Sequence, residues 1–190
     1  MRMNKRYIIW IGLIFLWVFP VHGDTNTEYH KCILPAQDFN EVSDCIKLGK
    51  NGQLFIAQKY LRQLSFEKNT LASVYSEEEG WMYVNRKGRV IISGVAAMDN
   101  GADVFHGGLV RFSQNKKWGF ADERGRIVVA PIYDGAMNFD NGLAKVCNGC
   151  RSTCAEPKCE HHFFTGGEWF YINTKGKIVK KTISKEVSYE

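Results

Sequence analysis

The sequence predicts a mainly β fold: tandem antiparallel β-hairpins of one kind, stacked in a single domain. Three observations predict it. A Trp-turn-Gly pattern returns three times, a Phe-turn-Leu pattern returns between the tryptophans, and the residues ahead of each turn keep the two-residue period of a strand. Two departures are expected: one N-terminal amphipathic helix and one cysteine-rich insertion.

The Trp pattern is carried by EGWMYVNRKGRVII (79–92), NKKWGFADERGRIVV (115–129) and GEWFYINTKGKIV (167–179). Trp81, Trp118 and Trp169 are each followed four residues later by Asn85, Asp122 and Asn173, and seven residues later by Gly88, Gly125 and Gly176. Asx at the first position and Gly at the fourth is the signature of a type I turn whose glycine takes the left-handed conformation. The Asx side chain can accept backbone N–H bonds across it. A cation and branched aliphatics follow each glycine: Arg89-Val90-Ile91, Arg126-Ile127-Val128 and Lys177-Ile178-Val179. Each unit therefore reads as strand, turn, strand. Trp81 and Tyr83, Trp118 and Phe120, and Trp169 and Tyr171 share a strand face. A pair that recurs in every copy reads as core rather than as a cofactor platform.

The second module is FHGGLVRF (105–112), repeated as FDNGLAKV (139–146). FEKNTLASV (66–74) is a looser copy with one extra residue and Thr70 in place of glycine. Each copy leads into the next tryptophan. Trp118 and Trp169 lie farther apart than Trp81 and Trp118, which places an insertion at about 148–165.

On these residues the chain resembles the WG-repeat (KWG-repeat) proteins. The best match is KKWGFADERGRIVVAPIYDGAMNFDNGLAKV (116–146), with its Lys-Trp-Gly core, turn glycine, Pro131-x-Tyr133-Asp134 step and Phe-x-x-Gly-Leu-Ala close. The resemblance runs from about Phe66 to Val179, with Met82 and Phe170 replacing the family's glycine in two copies. It implies a largely bacterial, β-rich repeat scaffold with no assigned activity. Three units suffice to stack but not to close a propeller of four or more blades.

Ahead of the repeats, 24–65 reads as a cap. NGQLFIAQKYLRQLSF puts Leu54, Ala57, Leu61 and Leu64 on one helical face, predicting a helix at about 53–64 that covers an open end of the array. Residues 24–50 read as a loop tied by Cys32 and Cys45. The first 23 residues have the order of a secretory signal peptide: Arg2, Lys5 and Arg6, then an uncharged apolar run from Tyr7 to Phe19, then Pro20 and small residues before Asp24. That run is too short to span a membrane. The expected mature chain, 24–190, is one domain comprising the cap, repeats at 66–147 and 166–180, and the insertion. The expectation is an exported protein, periplasmic or secreted.

The full chain has 190 residues and a formal net charge of +5. The leader holds three of its 25 Lys and Arg and none of its 20 Asp and Glu, so the mature chain is nearly neutral. No basic run or stripe survives, which argues against a nucleic-acid partner.

Six cysteines remain after export, and an oxidising compartment favours pairing. Cys32 with Cys45 is the expected N-terminal bridge. The insertion CNGCRSTCAEPKCEHHFF (147–164) supports two readings. Two disulfides among Cys147, Cys150, Cys154 and Cys159 would staple a long loop, at roughly 2–4 kcal/mol each. Alternatively, those four cysteines with His161 and His162 could hold zinc or copper, although no second ligand pair has matching spacing. Export favours the disulfides. A redox Cys-x-x-Cys ranks last, because the segment does not start a helix. His106 aligns with Asp140 in the next copy, which suggests a solvated turn. Asp99, Asn100 and Asp103 lack the ligand pattern of a calcium loop. Glu77, Glu78 and Glu79 read as a solvated lead-in. No catalytic constellation, phosphate loop or cofactor motif occurs. The expectation is a non-enzymatic binding protein with no cofactor. Its partner would be a protein or envelope component, contacted by the irregular segment 151–164.

Overall fold

The computed structural model describes residues 29–35, 38–67, 71–98, 101–154, 162–182 and 188–189. The expected signal peptide, 1–23, lies outside them. Among the described residues the fold is β throughout, apart from 3-10 turns.

Three-stranded antiparallel meanders recur along the chain. The first comprises β4 (Leu71–Ser76), β5 (Gly80–Asn85) and β6 (Val90–Val95). The second comprises β9 (Leu109–Gln114), β10 (Lys117–Asp122) and β11 (Ile127–Tyr133). The third comprises β13 (Leu143–Cys154), β14 (His162–Asn173) and β15 (Ile178–Thr182). A short ribbon, β7 (Ala97–Met98) with β8 (Gly101–Ala102), links the first two. β12 (Gly135–Asp140) joins the second to the third by pairing with β13, and β16 (Ser188–Tyr189) pairs with β14.

The three Asx-Gly turns have one geometry. Asn85, Asp122 and Asn173 each accept, through Oδ1, the backbone N–H groups two and four residues on, at 2.9–3.0 Å. Gly88, Gly125 and Gly176 have φ of 79°, 77° and 75°, and each donates its N–H to the Asx carbonyl at 2.8 Å. The Phe-turn-Leu module is equally regular. His106 exchanges both backbone bonds with Leu109, and Asp140 pairs with Leu143. In the looser copy Glu67 donates to Leu71, across one extra residue.

The cap differs from expectation. Residues 24–50 are not a loop where described: β1 (Tyr29–Leu34) and β2 (Asn40–Leu48) form a hairpin. Cys32 and Cys45 bridge it, with Cα atoms 5.8 Å apart. The pairing shifts between His30↔Ile46 and Cys32↔Val42, so three residues of β2 face Lys31 alone. That bulge, with Asp44 at φ 53°, turns Cys45 toward Cys32. The helix at 53–64 is instead a short strand, β3 (Leu54–Ile56), and a 3-10 helix at Gln58–Gln63. Pairing with β2 takes Leu54–Ile56 out of any helix, because their N–H and C=O groups serve the sheet. Leu61 and Leu64 still enter the core.

This cap is a fourth, degenerate unit. Gly49 donates to the Gln53 carbonyl and Gly52 to the Gly49 carbonyl, the bonds made by the Asx-Gly turns, and Gly52 has φ 73°. Counting back from Gly52, Gly49 occupies the Asx position and Cys45 the Trp position. The disulfide stands where the other units have an indole.

β1 to β6 and β9 to β11 belong to one strongly coiled sheet, in the order β11-β10-β9-β6-β5-β4-β1-β2-β3. The units join through single register pairs, Ile33↔Tyr75 and Val95↔Phe112. The sheet curls until β3 meets the start of β6, where Phe55 bridges Arg89. Cys32, Leu34, Cys45, Ile46, Val74, Met82 and Val84 fill that curl. Trp81 and Tyr83, on the opposite face of β5, pack with Ile92 and Val95 of β6 and with Val110 and Phe112 of the next unit. β5 is thus buried on both sides, which explains Met82 where the repeat pattern has glycine. In β10 that glycine is Gly119, and a Cβ there would lie 2.6 Å from the Val129 carbonyl and 2.8 Å from the Pro131 nitrogen.

The turn glycines also carry the stacking. A Cβ on Gly88 would lie 2.8 Å from the Ile56 carbonyl, and one on Gly125 would lie 2.5 Å from the Ile91 carbonyl. One on Gly176 would lie 3.2 Å from Val129 Cγ2. Each turn presses on the third strand of the unit before it. Gly52, in the cap unit, has nothing within 4 Å among the described residues.

One buried polar cluster ties the units further. Arg111 of β9 and Asp103 are 2 % and 0 % exposed and pair at 2.9 Å. Asp103 also accepts from Asn138 at 3.1 Å, and its carbonyl accepts from the Tyr83 hydroxyl at 2.8 Å. Arg111 donates to the Ala136 carbonyl. Burial raises the Tyr83 phenol well above its ordinary value, so it remains a donor.

Two outcomes follow for stability. Asp103→Ala removes the buried carboxylate that pairs with Arg111 and accepts from Asn138, and should cost about 3–5 kcal/mol in urea unfolding. Gly52→Ala should cost only the left-handed strain, roughly 1–2 kcal/mol. Gly125→Ala, at the same φ but against a backbone carbonyl, should cost about 1–3 kcal/mol more. Equal losses for the two glycine variants in matched denaturation curves would refute the stacking role.

Candidate functional site

The segment expected as an irregular insertion is built as a hairpin. β13 and β14 run past the repeat and stay paired from Leu143↔Asn173 to Cys154↔His162. Residues 151–154 and 162–165 are therefore strand, not loop. Their Ser, Thr, Gly and Cys content hides this, because such residues suit loops and edge strands alike.

The base of the hairpin is held by Cys147 and Cys150, whose Cα atoms are 6.0 Å apart. In a regular strand, residues three apart point to opposite faces and lie about 10 Å apart. Gly149, at φ 72°, breaks the pleat and brings the sulfurs together. Gly167, on the facing strand, has φ 72° as well, and a Cβ there would lie 2.4 Å from the Cys150 nitrogen. Both cysteines are buried, in one cluster with Phe164 and Trp169. Trp118 of the second unit meets the edge of Phe164 at 6.4 Å, and Phe164 meets Trp169 at 6.4 Å. Trp169 donates its indole N–H to the Gly166 carbonyl at 2.9 Å, and Lys145 lies 4.9 Å above its ring.

Asp134 locks this base to the scaffold. One carboxylate oxygen accepts from Lys117 Nζ and the other from the Gly149 N–H at 2.7 Å. The Lys117 hydrogen bond, then that from Gly149, hold its carboxyl below the usual carboxylate range.

The Cys32–Cys45 and Cys147–Cys150 bonds bear out the expected disulfides and speak against the alternative cysteine-histidine metal set. Cys147 and Cys150 are bonded to each other, and Cys154 is disulfide-bonded too, so none of the three offers a thiolate. Cys159 and His161 lie outside the described residues, as does the His162 side chain. No group of three His, Cys, Asp or Glu side chains suited to a metal occurs among the described residues. The Cys-x-x-Cys sits in mid-strand, without the helix N-terminus that lowers thiol pKa.

Other expectations fare differently. His106 and Asp140 occupy equivalent turns, but only Asp140 is well exposed; His106 Nε2 is buried without a hydrogen-bond partner. Asp99 and Asn100 lie outside the described residues, whereas Asp103 is the buried partner of Arg111. Glu77, Glu78 and Glu79 form the turn between β4 and β5. The sequence reading missed the roles of Asp103, Arg111 and Asp134. Only Asp134 carried a signal, its place in the Pro-x-Tyr-Asp step.

A family model described as a WG containing repeat matches residues 118–149. Residues 118–149 are thus similar to a WG repeat. The match starts at Trp118 and spans β10, β11, β12 and the first half of β13. It ends at Gly149, inside the cysteine staple, and the outer part of the β13–β14 hairpin lies beyond it. No curated protein matches the chain. No helix among the described residues is long and apolar enough to cross a membrane.

Asp134 makes the hairpin base sensitive to acid. A carboxylate whose folded pKa is lowered contributes stability above its unfolded value, near 4, and loses it as pH falls through the folded value. Asp134→Asn should lower the thermal midpoint at pH 7, and the gap from wild type should close below about pH 4. A gap unchanged at pH 3 would show that Asp134 acts only by packing.

Proposed function

We propose that this chain is a non-enzymatic WG-repeat interaction module, and that the hairpin of β13 and β14 is its contact element. The observation that carries this reading is a rigid base under an exposed extension. The disulfide, three aromatic rings and Asp134 fix the hairpin where the repeat ends. Arg151, Ser152 and Cys154 beyond it are exposed. Chain elaborations presented by a rigid scaffold are where recognition concentrates. Export to an oxidising compartment is part of the same proposal, supported by the disulfides and the leader sequence.

The test removes the projection and spares the base. Replacing 153–163 by Asn-Gly keeps Phe164 in its cluster and closes the strands with a two-residue turn. The shortened chain should keep its near-ultraviolet circular dichroism and lose the partner that wild type crosslinks in the envelope of the exporting cell. Equal crosslinking by both chains would remove the hairpin from the function.

A further inference from the structure

A separate cavity lies at the cap, where it meets β6. It is an open groove of about 870 Å³ between the 49–52 turn and the face of β6. Lys50 and Arg89 are among its walls, along with Asn51, Gln53, Phe55 and Ser93, and no carboxylate lines it.

Arg89 is held in place at its edge. Its Nε donates to Gln53 Oε1 at 2.7 Å. The Gln53 amide is itself fixed, donating to the Leu54 carbonyl at 3.0 Å and the Val90 carbonyl at 2.8 Å. The Nη atoms of Arg89 make no hydrogen bond among the described residues, so the open end of a pre-aimed guanidinium faces solvent. That is the fork that takes a carboxylate in two parallel bonds.

The groove arises where this unit departs from the others. Phe55, 36 % exposed, stands at the position of Ile91, Val128 and Val179. Gly49 replaces Asn85, Asp122 and Asn173, and a Cβ there would lie 3.0 Å from the Phe55 ring. The missing side chain makes room for the ring against the turn. Gln53 replaces Arg89, Arg126 and Lys177. In the next unit Arg126 spends its guanidinium on its own Asp122, so no such fork forms there.

We propose that this groove binds an acidic glycan. Arg89 and Lys50 would take uronate-type carboxylates, Phe55 the apolar face of a sugar ring, and Asn51 and Ser93 its hydroxyls. A trough open along its length admits a chain, and an aromatic ring beside short polar groups suits a sugar better than an acidic peptide.

The test titrates the full-length, oxidised mature protein with polygalacturonate, dextran and poly-glutamate by affinity electrophoresis. Polygalacturonate should retard the protein and neutral dextran should not. Arg89→Gln and Phe55→Ser should each weaken retardation roughly tenfold, as loss of a charge-assisted bond or a stacking face would. Phe55→Tyr and Arg126→Gln should leave it unchanged. Should Arg89→Gln shift the melting midpoint, Lys50→Gln carries the same test. Absence of retardation, or equal losses for Arg89→Gln and Arg126→Gln, would overturn the proposal. Equal or tighter binding of poly-glutamate would overturn it in favour of an acidic peptide.

Discussion

The structure depends on one contact: a left-handed glycine turn pressed against the third strand of the preceding unit. Gly88, Gly125 and Gly176 meet this condition at Ile56, Ile91 and Val129 in turn. The turn needs glycine for its positive φ, and the stack needs it because a Cβ would strike a neighbour. Because the contact is head-to-tail, it could continue without limit, and such arrays need ends that differ from their middle. Among the described residues the turn at Gly52 meets no preceding unit, and Lys180 stands four residues after Gly176, as Ile56, Ile92 and Val129 do after their own turn glycines.

Given that contact, three further devices fix what the turns alone leave loose. The Cys32–Cys45 bridge stands where the cap unit lacks a tryptophan. The Arg111–Asp103 pair, satisfied by Asn138 and the Ala136 carbonyl, joins the second unit to the ribbon and to β12. The Cys147–Cys150 bridge holds a strand bent at a left-handed glycine. All lie near junctions between units, where single register pairs give little hold.

The repeats were legible because their determinants are local. Asx, glycine and the alternating aromatics act within one hairpin, and each copy repeats the same offsets. The fourth unit escaped notice because both its markers had been replaced: Cys45 for the indole and Gly49 for Asx. Its leucines then read as a helix, since Leu54, Leu61 and Leu64 keep helical spacing by accident of a strand followed by a 3-10 turn. The insertion misled for a different reason. Its length and composition suit a loop, and only the facing strand, supplied from 162–165, makes a ladder of it.

Sequence by itself determined the unit: the turn, its glycine, the aromatic face, and the cysteines available for bridging. Tertiary structure decided which cysteines met, that both faces of β5 were buried, and where an arginine was left with an unused fork. The reason is range. A turn is closed by residues within a few positions of one another, whereas Arg89 is aimed by Gln53 only after separate units have been brought into contact.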